Sequence, residues 1–226
     1  MGGAARPAAV LFDIDETLVH TGGSGARSWA AAFDQLYGIP ADIGAHSSAG
    51  ETDPQVAVAT FRATIGRSPT PDELRALYAR YLAHLADDIW VSEGYHVLPG
   101  VGEALASLDR AGVVVGLVSG AMEGAARTKL MPADLNRFFV FGAYGSDSPD
   151  RANLTRAAIT KAGYLTGGIE PGDVYVVGDT PHDMEATLAV GAVPVGVATG
   201  HYPVAALRAA GGVHVLESLE DPFPGI

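Results

Sequence analysis

Two rhythms of apolar residues alternate along the chain. Short continuous apolar runs bounded by polar residues read as strands buried on both faces. "AAVLFD" (8–13), "VVVGLVS" (113–119) and "VYVVGD" (174–179) are the clearest of them. "FFVFGAY" (138–144), "VPVGVAT" (193–199) and "VHVL" (213–216) follow the same pattern. Between these runs the apolar residues recur at helical spacing, near 100–110, 121–131, 151–163, 181–190 and 203–210. Strand and helix in alternation predict a parallel sheet with helices on both faces.

One stretch breaks the alternation. Residues 24–90 contain no strand pattern and three helical ones, near 25–37, 52–65 and 71–89. Gly and Pro signals such as "GRSPTPDE" separate them. Thr70, Pro71, Asp72 and Glu73 form a helix start: an N-cap hydroxyl, a proline in the first turn, then acids at the positive end of the dipole. The expected fold is therefore α/β: a Rossmann-like, doubly wound parallel sheet core with an inserted α-helical cap. The core comprises residues 1–20 and 95–226, and the cap residues 21–94. "TGGSG" (21–25) lacks the Lys-Ser/Thr ending of a phosphate-binding P-loop and reads as a linker into the cap.

Composition narrows the class. The chain has 226 residues, 48% of them hydrophobic, enough for a sizeable core. No apolar run reaches the length of a membrane span. Met1 to Pro7 lacks the apolar centre of a secretory signal. The absence of cysteine removes disulfides, thiolate catalysis and cysteine metal sites. A cytoplasmic protein is expected. The net charge is −12, and Lys129 and Lys161 are the only lysines. So acidic a surface argues against nucleic acid and anionic membranes as partners. It does not argue against an anionic substrate, because a metal reverses the local sign. A monomer and a homodimer both fit.

In open parallel sheets, ligands bind beyond the carboxyl ends of the strands. There the first strand delivers Asp13 and Asp15, the second Ser119 and Gly120, and the third Asp179, with Asp183 four residues on. Four carboxylates at one edge are the oxygen ligands of a hard divalent cation such as Mg²⁺. With Ile14 turned away, Asp13 and Asp15 face one pocket and divide the work, one as nucleophile and one as general acid/base.

"DIDET" (13–17), Ser119 at a strand end and "GDTPHD" (178–183), in this order, resemble the first, second and fourth motifs of the haloacid dehalogenase superfamily. The helical insertion after the first motif resembles that superfamily's C1-type cap. "GETDPQV" (50–56) resembles a cap segment of its phosphoglycolate-phosphatase-like members. The resemblance implies a Mg²⁺-dependent phosphatase acting on a small phosphorylated metabolite through an aspartyl-phosphate. It implies Asp13 as nucleophile and metal ligand, and Asp15 as acid/base with its backbone carbonyl on the metal. Thr17 orients the turn, Ser119 and Gly120 bind the phosphoryl group, and Asp179 and Asp183 hold the metal.

The third motif of that superfamily is usually a lysine. The matching place, after "GSDSPD", holds Arg151. Its permanent charge and forked donors suit phosphate. Lys129 is expected to lie too far along its helix, at about 1.5 Å per residue, to reach the strand end. Lys161 has the same problem. Glu16 replaces the usual glycine after the second Asp and is expected to reach the hinge or the metal's outer shell. In the cap, Arg27, Glu51, Thr52 and Asp53 are candidates to meet substrate on closure. His182 is expected at the surface and His20 at the hinge. The other histidines, His46 among them, show no metal-ligand spacing. Alternatives stay open: a phosphomutase of the β-phosphoglucomutase type, a 2-haloacid dehalogenase, or a non-catalytic binding protein. A phosphonate hydrolase would need a cap lysine, and none lies between residues 20 and 95.

Overall fold

A computed structural model describes residues 5–39, 41 and 50–226. His46 lies outside them. Six strands form one parallel sheet: β1 (Ala9–Phe12), β4 (Val114–Ser119), β5 (Gly142–Tyr144), β6 (Val174–Gly178), β7 (Val193–Val197) and β8 (His214–Leu216). Their order is β5-β4-β1-β6-β7-β8. The chain runs outward from β1 to one side and then to the other, which makes β1 the switch point of the sheet. All four β1 residues are buried, as a continuous apolar run requires.

Helices α4 (Val101–Arg110), α5 (Glu123–Leu130), α6 (Arg151–Thr166), α7 (Pro181–Leu188) and α8 (Val204–Ala209) connect the strands. Two apolar clusters line the sheet. One holds Val10, Phe12 and Leu117, and the other holds Leu11, Val118 and Leu154. Alternate β1 side chains thus enter opposite layers. Complete burial of a residue such as Phe12 contributes about 2–3 kcal/mol.

Within residues 24–91 the described residues form α1 (Ser24–Tyr37), α2 (Asp53–Ile65) and α3 (Pro71–Val91). Trp29 of α1 stacks on Tyr81 of α3, with ring centroids 4.7 Å apart. Phe33 meets Phe61 of α2 edge-on at 5.3 Å. At the start of α3 the Thr70 hydroxyl accepts from Glu73 N, and the Glu73 carboxylate accepts from Thr70 N. This reciprocal pair is the capping box behind the sharp helix start.

The chain passes between these helices and the sheet through two short antiparallel strands, β2 (Val19–Thr21) and β3 (Tyr95–Val97). The stretch 138–144 is a strand only from Gly142. Leu135–Phe138 forms a 3-10 turn, and Phe139 packs edge-on against Phe12.

Candidate active site

The sheet register carries three strand ends to one place. Phe12 of β1 is level with Leu117 of β4 and Val177 of β6. Asp13 is therefore level with Val118 and Gly178, and Ser119 and Asp179 follow one residue further along the same edge. Asp13 N donates to Val177 O at 2.9 Å, which extends the pairing one residue past the strand. After Asp179 the chain turns directly into α7. Thr180 N and its hydroxyl both donate to Asp183 Oδ2, at 3.0 and 2.7 Å. One oxygen of Asp183 thus closes the helix N-terminus and the other faces the cleft. Gly178 has no room for a side chain, because a Cβ there would overlap the Asp183 carboxylate.

Asp13, Asp179 and Asp183 each offer an oxygen within 4.8 Å of the others, and all three are buried. Arg151, the first residue of α6, reaches among them. Its Nη1 donates to Asp183 Oδ1, its Nη2 to Asp13 Oδ1 at 3.4 Å, and its Nε to Gly50 O at 3.2 Å. Three buried carboxylates thus face one guanidinium. Burial pushes the Asp13 and Asp179 carboxyls well above their ordinary range; Asp183 pushes both further, and Arg151 offsets part of the rise. Burial disfavours the Arg151 charge, yet Asp183, Asp13 and Asp179 raise its pKa. This negative excess on hard oxygen donors fits a divalent cation such as Mg²⁺.

A model of the haloacid dehalogenase-like hydrolases matches residues 7–191. The chain belongs to that family. It is 34% identical to a phosphoglycolate phosphatase of Rhodospirillum rubrum, over 97% of this chain and 93% of the relative. It is 26% identical to a phosphoglycolate phosphatase of Escherichia coli O157:H7, over 96% and 91%. Among solved structures, a hydrolase from Pseudomonas syringae superposes with a TM-score of 0.72 at 24% identity, covering 95% of each chain. CbbY from Rhodobacter sphaeroides, in complex with xylulose-(1,5)-bisphosphate, gives 0.73 at 15% identity over 95% and 96%. These two likenesses concern the fold.

This hydrolase brings most of the expected residues together. Asp13, Asp15, Ser119, Gly120, Arg151 and Asp179 line one cavity of about 240 Å³. Thr17 is buried beneath it, its hydroxyl 3.5 Å from Asp179 Oδ1, the outer limit of a hydrogen bond. Glu16 holds the left-handed conformation (φ 56°), and its carboxylate meets His20 Nδ1 at 2.6 Å, beside the β2–β3 crossing. The contact lies where the chain crosses between the helices and the sheet. His182 is half exposed, as anticipated.

Three expectations need correction. Lys129 is not remote: its buried Nζ lies 2.5 Å from Asp15 Oδ2. Burial opposes its charge, but Asp15, Tyr81 and Asp53 raise its pKa above the ordinary lysine range. Arg27 does not face the cleft. It forks onto Asp88 at 3.2 and 2.6 Å and donates to Gly22 O and Ser92 Oγ, fastening α1 to the end of α3. Thr52 is buried as the N-cap of α2, and its hydroxyl lies 3.2 Å from both Pro149 O and Gln55 Oε1, either of which can accept its one proton. It joins the helical stretch to the sheet side and does not line the cleft.

Other residues enter from the helical side. Glu51 and Asp53 line the cavity, and Glu51 Oε2 is buried with no partner among the described residues. Asp53 N donates to Gly120 O, and Met122 N donates to Asp53 Oδ2, both at 2.8 Å. Burial raises the Asp53 carboxyl to about 6. Sequence reasoning passed over His201, which lines the cavity from the loop after β7. The strand-end rule, applied to that strand as well, points to it.

Proposed function

We propose that this hydrolase cleaves small phosphate monoesters in two steps through Asp13, under a helical cap made of residues 21–94. The observation that carries the reading is the meeting of Asp13, Asp179 and Asp183 with Arg151 at the sheet edge, with Asp15 beside them. Asp13 follows β1 one residue short of the level of Ser119 and lines the same cavity as Ser119 and Gly120, so a phosphoryl group held by that loop meets its carboxylate.

In the first step an Asp13 oxygen attacks phosphorus. The bond from phosphorus to the ester oxygen breaks, and Asp15 gives a proton to the departing alkoxide. In the second step Asp15 takes a proton from water. The water oxygen attacks phosphorus, and the acyl-phosphate bond breaks to return the Asp13 carboxylate and inorganic phosphate. Arg151 neutralises phosphoryl oxygens beside Asp13. Thr17 positions the Asp179 side chain. Asp13, Asp179 and Asp183, with the Asp15 carbonyl, would hold Mg²⁺, whose positive charge suits phosphoryl oxygens crowded against carboxylates. The cap keeps bulk water from the acyl-phosphate.

Phosphate release from 4-nitrophenyl phosphate and a panel of small metabolites tests the reading. 2-Phosphoglycolate, the substrate in the names of the curated relatives, heads the panel. Turnover is expected from the wild type with Mg²⁺, and neither from Asp13→Asn nor in chelator. Failure to turn over any member, in protein that binds Mg²⁺, rejects the phosphatase.

A further inference from the structure

Lys129 has no part in the two-step scheme, yet it is a buried cation inside the cleft. It comes from α5, is 6% exposed, and lines two adjoining cavities. The first holds the phosphoryl machinery. The second, about 290 Å³, shares Asp15, Glu16, Asp53 and Lys129 with it and is walled by Trp29 and Tyr81 from the helical side. An ammonium carries three N–H donors. Among the described residues Lys129 donates to a single acceptor, Asp15 Oδ2 at 2.5 Å. The nearby Asp53 carboxylate is engaged by Met122 N instead. Buried donors normally find acceptors. The free N–H groups therefore face the compartment into which a leaving group must extend.

We infer that Lys129 is the specificity residue of this site, reading an anionic group on the leaving alcohol. The inference rests on the phosphatase reading above. Distance sets the chain length. The ester oxygen takes its proton from Asp15 across an ordinary hydrogen bond, and Lys129 sits 2.5 Å from the same carboxylate. The ester oxygen and the ammonium are then about 5 Å apart. A carboxylate attached directly to the ester-bearing carbon spans that gap. Arg151 and Lys129 thereby divide the anions of the substrate, one beside Asp13 for the phosphoryl group and one beside Asp15 for the carboxylate.

The test compares kcat/KM for 2-phosphoglycolate and for ethyl phosphate, which has the same carbon count and no carboxylate. Both are measured on wild type, Lys129→Met and Lys129→Arg with saturating Mg²⁺. The ratio is read within one preparation, so loss of folded protein cancels. The wild type is expected to prefer the carboxylated ester. Lys129→Met should lower the ratio by about 10- to 100-fold, the size of a charge-assisted hydrogen bond, and Lys129→Arg should keep part of it. An equal fall on both esters would mean that Lys129 acts only through Asp15 and overturns the inference. So does a wild type that turns over 4-nitrophenyl phosphate without preferring the carboxylated ester, or that prefers a bisphosphate to 2-phosphoglycolate. These outcomes leave the phosphatase standing. Inactivity on every ester, 4-nitrophenyl phosphate included, rejects both.

Discussion

Gly120→Ala probes the seam between residues 50–53 and the Ser119–Gly120 loop, proposed above to hold the phosphoryl group, without altering any acid. A Cβ at Gly120 would lie 2.6 Å from Glu51 O, 3.1 Å from Thr52 Cα and 3.2 Å from Glu51 C. The obstacle is backbone, so no side chain can swing aside. The 50–53 segment must withdraw by about 0.8 Å to reach ordinary van der Waals contact at 3.4 Å. That movement stretches two 2.8 Å bonds, Asp53 N to Gly120 O and Met122 N to Asp53 Oδ2. Overpacking of this kind costs about 1–3 kcal/mol. Charged to the closed state alone, it lowers kcat/KM by about 5- to 150-fold. The fold relieves the clash by parting the seam, so the melting temperature should fall by less than about 3 °C. Steady-state kinetics and thermal unfolding on the same protein decide the matter. Wild-type kcat/KM would refute the argument. So would a fall in melting temperature of about 5 °C or more with unchanged kinetics.

The remaining predictions concern charge. Arg151→Met leaves Asp13 and Asp183 buried without their guanidinium. It should lower kcat by about 100-fold or more and lower the melting temperature in chelator, with partial recovery in Mg²⁺; recovery that does not depend on the metal would contradict the charge accounting. Mg²⁺ itself should raise the wild-type melting temperature, because the carboxylate cluster proposed to hold it is assembled only in the folded chain, and a scan with and without chelator checks this. Asp53 supplies a pH dependence. Its folded carboxyl is raised to about 6 from 3.8, so its contribution to stability is complete below about pH 4 and lost as pH rises through about 6. Relative to wild type, Asp53→Asn should gain stability over that window, by up to about 3 kcal/mol; parallel pH profiles of the two proteins would refute the burial argument.

The sheet was legible because its strands are continuous apolar runs. β1, β4 and β6 need no partner to be recognised, and strand ends in a parallel sheet fall on one edge. That reasoning located Asp13, Ser119 and Asp179. Arg151 was legible as a cation at the start of α6. Lys129 was not, because its distance was measured along its own helix from Ser119. Asp15 lies on the loop after β1, where Glu16 N bonds Val19 O and turns the chain back toward β2. The lysine side chain meets Asp15 there, across strands that sequence spacing does not relate. Arg27 and Thr52 were chosen by charge and position in the helical stretch. Asp88 and Pro149, their actual partners, are 61 and 97 residues away. The β2–β3 pair holds only three residues a side, too few for periodicity to register. In "FFVFGAY" hydrophobicity overstated the strand, since Phe139 turns into the core beside Phe12 while Val140 is exposed.

The most direct test of the central claim is to catch the phosphoryl group on Asp13. Protein mixed with 2-phosphoglycolate or 4-nitrophenyl phosphate and Mg²⁺ is quenched in acid within the first turnovers, digested and weighed by mass spectrometry. Transfer through Asp13 predicts one added phosphoryl group on the peptide containing Asp13, absent in Asp13→Asn and absent in chelator. Phosphate release by an active wild type with no phosphorylated peptide at any quench time, or with the group on another residue, would contradict the account.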